Sequence, residues 1–156
     1  MCCPWTKETL ECLLNLKNIE IDKPDVRDQT PLFAAVKYNH IDNACVLLKF
    51  GSNPNGIGAS SESPVHVAVR DGFTAMVEVL LSHGASPDGR DSGLSVPQFG
   101  TIPLYTAIIY DRFEEFIMLL RYGADPNLIM RQPGFSNSLI DGSIRHNADV
   151  KWIKVT

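Results

Sequence analysis

A six-residue pattern that recurs three times along the chain constrains the fold more than any other feature. Its second residue is proline and its sixth is alanine, and the three prolines lie 33 and 39 residues apart. The copies are Thr30–Ala35, Ser63–Ala68 and Ile102–Ala107. A glycine follows each proline by 20 residues, at positions 51, 84 and 123. Repetition with a period of about 20–50 residues indicates a stack of similar units, so each copy should have the same internal architecture.

The residue types of each copy predict two short helices joined by a tight turn and followed by an extended loop. Thr30 and Ser63 are good N-terminal caps, and the proline after each fits the first helical turn, whereas Ile102 is a weaker cap. The chain should reverse at residues that tolerate a left-handed backbone, namely Asn39, Gly72 and Asp111. The glycines at 51, 84 and 123 should end the second helices as left-handed caps.

These copies resemble the ankyrin repeat, whose Thr-Pro-Leu-His-x-Ala signature and period of about 33 residues they share. The resemblance implies an all-α fold, an ankyrin-repeat solenoid of stacked helix-turn-helix units with extended loop fingers. We expect an N-terminal tail and half-repeat over residues 1–24 and repeats over 25–57, 58–96 and 97–131. The second of these repeats has the enlarged loop, and an incomplete repeat is expected over 132–156.

Within this class, the segment Asp28–Val36, the turn Asn53–Gly56 and the enlarged third unit are similar to the ankyrin repeat and SOCS box family. In that family the repeats capture a substrate protein, and a C-terminal SOCS box binds elongin and cullin so that the substrate is ubiquitinated. No SOCS box sequence follows the last repeat of this chain. The resemblance therefore implies elongin and cullin binding only for a longer form that carries the box. The alternative is a stand-alone ankyrin scaffold or competitive inhibitor without ligase recruitment.

The scaffold favours protein binding on a continuous concave surface built from loop tips and the exposed sides of the first helices. Counting from each proline places eight predicted contact residues there: Arg27, Lys37, Tyr38, Arg70, Asp71, Ile109, Tyr110 and Arg145. Tyrosine and arginine are enriched at binding hot spots, although any protein surface exposes some of both. The enlarged loop adds Leu94, Val96 and Phe99, whose apolar side chains would be exposed unless a partner or a neighbouring loop covers them. The competing interpretation is that this loop is a freely varying connection.

Composition excludes several other classes of function. The formal net charge is −4 and no run of Lys or Arg is present, which argues against nucleic-acid binding. No apolar stretch is long enough to span a membrane, and the N-terminus is no secretory signal. The four cysteines form neither a disulfide framework nor a paired zinc-binding spacing. We therefore expect a cytoplasmic protein, with the nucleus as the alternative.

We expect no enzymatic activity and no cofactor or metal. None of the sequence motifs of metalloproteases, nucleotide-binding proteins or serine hydrolases occurs. His66 occupies the histidine position of the repeat signature, where the resemblance implies a structural hydrogen bond to the backbone of a neighbouring loop. The interrupted units at both ends suggest an uncapped stack, and we expect residues 147–156 to fray or to dock imperfectly.

Overall fold

A computed structural model describes residues 6–16, 19–56, 62–89 and 102–131 as helices, turns and loops, with no β-strand among them. The predicted Leu94, Val96, Phe99 and Arg145 contacts, and the expected fraying of 147–156, lie outside the described residues. The helices are α1 (Lys7–Leu14), α2 (Pro31–Lys37), α3 (Ile41–Lys49), α4 (Pro64–Asp71), α5 (Thr74–Ser82), α6 (Pro103–Ile109) and α7 (Phe113–Arg121). A 3-10 helix over Pro126–Arg131 follows.

The starts of α2 and α4 are fixed by side-chain caps. The Thr30 hydroxyl accepts a hydrogen bond from the Phe33 amide at 3.2 Å, and the Ser63 hydroxyl accepts one from the His66 amide at 3.4 Å. Proline occupies the first turn of α2, α4 and α6. Ile102 precedes α6 and makes no side-chain cap, as predicted from its residue type. These caps satisfy amides that a helix leaves unpaired at its N-terminus.

The turn between the two helices of each repeat is built in one way three times. The residue at the reversal has positive φ in every copy: 55° at Asn39, 73° at Gly72 and 52° at Asp111. The next amide then reaches back to a carbonyl of the first helix. These bonds are His40 to Ala35 at 2.8 Å, Phe73 to Ala68 at 2.9 Å and Arg112 to Ala107 at 2.7 Å. The prediction of a left-handed reversal is confirmed.

The second helices end on the three predicted glycine caps. The φ angles are 92° at Gly51, 87° at Gly84 and 90° at Gly123. The residue after each glycine donates its amide to a carbonyl of the last helical turn. The pairs are Ser52 to Leu47, Ala85 to Leu80 and Ala124 to Leu119, each at 3.0 Å. This is the Schellman arrangement, in which the left-handed residue lets the chain satisfy otherwise unpaired helix carbonyls.

The helices form two layers with the core between them. The inner helices α2, α4 and α6 pack side by side, as do the outer helices α1, α3, α5 and α7, and each hairpin also packs within itself. Ala35, Ala68 and Ala107 are buried in the inner layer, where their small side chains allow close approach. Outer-helix side chains such as Leu47, Leu80 and Leu119 supply apolar volume to a single cluster. The all-α solenoid of helix-turn-helix repeats predicted from the sequence is confirmed.

Hydrogen bonds from each loop to the next keep neighbouring repeats in register. The Asp22 carboxylate accepts the Ser52 hydroxyl at 2.5 Å and the Asn53 amide at 3.0 Å. One repeat later, the Asn55 side-chain oxygen accepts the Ser86 amide at 2.7 Å, and the Asp88 carboxylate then accepts the Asp125 amide at 3.0 Å. Each acceptor thus binds the equivalent amide of the following repeat, and we call this series the loop ladder.

The segment after the last outer helix differs from the expected extended loop. Residues Pro126–Arg131 form a 3-10 helix that packs against α6. Leu128 stands where the two earlier repeats have Gly56 and Gly89, and its side chain is buried. Burial of the apolar Leu128 side chain favours the compact 3-10 helix over the extended loop that the sequence predicted. Among the described helices, none has the length and apolar character needed to cross a membrane.

Candidate partner-binding surface

Six of the predicted contact residues lie together at the ends of the inner helices. They occupy the sixth and seventh positions after each helix-opening proline. Because α2, α4 and α6 pack side by side, these pairs form a continuous line across three repeats. We call this line the inner row: Lys37, Tyr38, Arg70, Asp71, Ile109 and Tyr110.

The aromatic residues of the inner row are open to solvent. Tyr38 is 61% exposed and Tyr110 is 49% exposed, although each directly follows a helix with a buried face. The Lys37 ammonium lies 6.0 Å from the centre of the Tyr38 ring, and the His40 ring centre lies 6.3 Å from it. Ile109 is half-buried beside Tyr110. The two ends of the row therefore offer aromatic surface, with a cation beside the first ring.

The Arg70 guanidinium is held by two carboxylates. One terminal nitrogen donates to both oxygens of Glu62 at 3.0 Å, and Nε donates to Asp71 Oδ1 at 3.0 Å. The hydrogen bond to Asp71, together with the charge of Glu62, raises the pKa of Arg70 above its ordinary value. The group is therefore a fixed, permanently charged element. Arg70 is therefore held in a three-residue clamp with Glu62 and Asp71.

Arg27 lies on the first loop finger, next to a tight turn organised by Asp25. The Asp25 carboxylate accepts the Arg27 amide at 2.8 Å and the Gln29 amide at 3.0 Å, and Asp28 has a φ of 59°. The Gln29 and Arg27 amides, aided by the positive charges of Arg27 and Lys37, lower the pKa of Asp25. The Asp25 carboxylate therefore orders the turn that leads into α2.

His66 has a structural environment. The residue is buried, and its Nδ1 lies 2.9 Å from the Ser63 hydroxyl of its own helix cap. The ring also packs against Gly89 in the following loop, where a side chain would collide with it. The ring thus bridges a helix cap and the following loop. Within the described ranges, no group of three or more His, Cys, Asp and Glu residues could hold a metal ion.

Sequence reasoning placed the exposed residues of the inner row but missed the clamp around Arg70. Glu62 precedes the helix cap and Arg70 sits eight positions later, so no helical spacing rule joins them. The sequence offered one indication of the Glu62–Arg70 pair, namely that two oppositely charged residues lie on the same side of one repeat. The pairing depends on how the loop enters α4, which the structure supplies.

Comparisons with known proteins agree with this architecture. A family model described as ankyrin repeats in three copies matches residues 51–130, and a single ankyrin-repeat model matches residues 27–58. An ankyrin repeat protein of Rickettsia bellii is 28% identical, with the match covering 84% of this chain and 59% of that protein. The ANK repeat-containing protein nipk-1 of Caenorhabditis elegans is 33% identical over 68% of this chain and 19% of its own length. Mouse Rabankyrin-5 is 30% identical over 49% of this chain and 8% of its own length.

The chain belongs to the ankyrin-repeat family. The three-copy match covers half of its length and includes the left-handed turns at Gly72 and Asp111. The match spans 59%, 19% and 8% of the lengths of the three relatives named above. Ankyrin repeats indicate a module for protein–protein interaction, and neither matching family model describes an enzyme.

Proposed function

We propose that the inner row holds a segment of a partner protein. The observation that carries this proposal is the exposure of Tyr38 and Tyr110 at equivalent positions two repeats apart. Tyrosine is among the residues that most often dominate binding energy, because its rigid ring buries a large area at little entropic cost. The charged clamp on Arg70 lies between the two rings in the row. Such an arrangement combines two apolar anchors with a fixed polar centre.

The spacing of the row sets the size of the segment. Packed helices lie about 8–10 Å apart, so the two tyrosines are separated by about 16–20 Å. An extended peptide rises by about 3.3 Å per residue and would cross this distance with about six residues. We therefore expect a partner segment with two apolar side chains about six residues apart. Lys37 and Arg27 favour an acidic group near the first anchor.

The test compares binding by the wild-type chain with binding by Tyr38→Ala and Tyr110→Ala. Proteins captured from a cell extract by the wild-type chain are identified by mass spectrometry, and the affinity of the captured partner is then titrated. Loss of a hot-spot tyrosine should weaken binding by at least about tenfold. Glu78→Ala, an exposed residue of outer helix α5 that lies in neither the inner row nor the other exposed apolar groups, is the control and should bind normally. Unchanged affinity in both inner-row variants would discard this surface.

We further propose that, in a longer form that carries a SOCS box, the captured protein becomes a substrate of an elongin–cullin ubiquitin ligase. The support is the similarity of residues 28–36 and the enlarged third unit to the ankyrin repeat and SOCS box family. Capture of elongin by a longer product, but not by residues 1–156, together with ubiquitination of the bound partner, is the expected result. A longer product without elongin binding would contradict this role.

The second candidate is a stand-alone scaffold or competitive inhibitor that occupies its partner without recruiting a ligase. This candidate rests on the same inner row, because a partner segment could bind to that row without a SOCS box or any other domain. Its signature is partner binding with an unchanged partner half-life when residues 1–156 are expressed. We propose a cytoplasmic location for either function, with the nucleus as the alternative, and imaging of the tagged chain tests this. The partner-binding hypothesis also includes four contacts predicted from the sequence: Leu94, Val96, Phe99 and Arg145.

A further inference from the structure

The exposed large hydrophobic side chains of the described residues fall into two groups on different parts of the stack. One group lies on the first finger and the inner row: Val26, Tyr38 and Tyr110. The other group follows the outer helices: Leu16, Ile19, Phe50 and Tyr122. The inner row cannot account for the second group, because the outer helices form the opposite layer. That second group requires its own explanation.

Two members of the second group, Phe50 and Tyr122, occupy equivalent positions in their repeats. Phe50, His83 and Tyr122 are the C-caps of α3, α5 and α7, each directly before a capping glycine. Because the outer helices pack side by side, their ends lie in line. We call this line the outer row: Leu16, Lys49, Phe50, His83, Arg121 and Tyr122. A Cβ placed on any of the three glycines would meet no atom within 4 Å, so the row borders open space.

The outer row also has the opposite charge to the chain as a whole. The net charge is −4, yet the outer row includes Lys49 and Arg121 and no Asp or Glu. The first acidic residue after the row in the last repeat is Asp125, three residues after Tyr122. Within the described part of the chain, no ion pair engages either cation. A cation at a helix C-terminus interacts favourably with the helix dipole, and this interaction is enough to explain why Lys49 and Arg121 occur there. It gives no reason for an exposed aromatic ring beside each cation.

We propose that the outer row docks an acidic amphipathic helix of a partner protein. The row presents an aromatic or imidazole ring at intervals of about 8–10 Å, the spacing of packed helices, and its two cations lie about 16–20 Å apart. Seven residues of an α-helix rise by about 10.5 Å, so apolar residues in a heptad spacing would meet one outer-helix end after another. Acidic residues between them would face Lys49 and Arg121. A helix of about 20 residues spans about 30 Å and would reach from Leu16 to Tyr122.

An anionic membrane is a weaker match to the same surface. Recognition of anionic lipids typically uses clusters of about four to eight Lys and Arg residues. The described outer row contains two, Lys49 and Arg121. Its aromatic rings are also spread over three repeats rather than gathered at one edge. The charge and spacing together favour a protein helix.

The probes are three synthetic helical peptides of 22 residues labelled with a fluorophore. The first carries leucine at every seventh position with glutamate between, the second replaces glutamate by lysine, and the third scrambles the first. Fluorescence anisotropy measures their binding to the wild-type chain, to Lys49→Glu/Arg121→Glu and to Phe50→Ala/Tyr122→Ala. Tyr38→Ala/Tyr110→Ala is the control, since it alters only the inner row. Circular dichroism establishes that each variant is folded, and Lys49→Gln/Arg121→Gln is the milder substitute.

The acidic heptad peptide should bind the wild-type chain better than the scrambled peptide does. Reversing both cations should weaken this binding by about tenfold and improve binding of the lysine peptide, because two attractive charge pairs become repulsive ones. Removing both rings should also weaken binding, whereas the inner-row control should not. Equal binding of the heptad and scrambled peptides, or no effect of charge reversal, would overturn the proposal. Binding to phosphatidylserine–phosphatidylcholine vesicles but not to the peptide would overturn it in favour of a membrane.

Discussion

Replacing Gly72 by alanine should destabilise the chain more than the same replacement at Gly51. Both glycines have positive φ, 73° and 92°, so alanine at either costs about 1–2 kcal/mol in backbone strain. At Gly51 the new Cβ meets nothing within 4 Å, whereas at Gly72 it would lie 2.6 Å from Cζ of Arg112. The guanidinium must then move and lose its 3.3 Å hydrogen bond to the Arg70 carbonyl, which adds about 1 kcal/mol. We expect losses of about 2–3 kcal/mol for Gly72→Ala and about 1–2 kcal/mol for Gly51→Ala.

The assay is urea unfolding followed by circular dichroism at 222 nm, with the free energy of unfolding obtained by linear extrapolation. A double-mutant cycle with Arg112→Ala isolates the contact, because alanine at 112 removes the group that collides with the new Cβ. In that background Gly72→Ala should cost only as much as Gly51→Ala. Equal losses for the two single glycine variants, or additive effects in the cycle, would refute the assignment of Arg112 as the group that excludes a side chain at position 72.

Two further predictions concern the loops. Asp22→Ala should destabilise the chain by about 1.5–3 kcal/mol, because it removes the carboxylate that accepts hydrogen bonds from the Ser52 hydroxyl and the Asn53 amide. The loss of the second bond should appear as faster hydrogen exchange of the Asn53 amide. An unchanged exchange rate would contradict the loop ladder. The lowered pKa of Asp25 makes its stabilising effect complete above the ordinary value of 3.8 and lost as the pH falls through the lower folded value. The protection factor of the Gln29 amide, which is the exchange rate corrected for the intrinsic pH dependence, should therefore fall in acid. Asp25→Asn should remove this change with pH, and identical protection profiles for the two proteins would contradict it.

The sequence predicted the local architecture because the responsible interactions lie within a few residues of one another. A cap such as Ser63 bonds an amide three positions later, and proline or a left-handed glycine acts on its own backbone. These features recur with the repeat, so one interpretation applied to all three copies. The exception is the 3-10 helix over Pro126–Arg131, where Leu128 replaces a glycine and its burial depends on α6.

The candidate surface was predictable in part. Position after the proline was enough to place Lys37, Tyr38 and Tyr110 on an exposed helix end. It was not enough to show that Arg70 is bound by Glu62 and Asp71, because that clamp forms between a loop and a helix end. The outer row escaped prediction for a related reason. Phe50 and Tyr122 look like core residues in a helical pattern, and only the packed layers show that they face outward.

The amino-acid sequence by itself determined where each helix begins, reverses and ends, because caps and backbone preferences act over about four residues. The tertiary structure alone decided which side chains meet across repeats. The Asp22 carboxylate and the Asn53 amide are 31 residues apart, and Arg112 reaches a carbonyl 42 residues before it. Contacts at such separations form only when neighbouring hairpins stack in register. That register depends on the fit of both layers together, which no local pattern encodes.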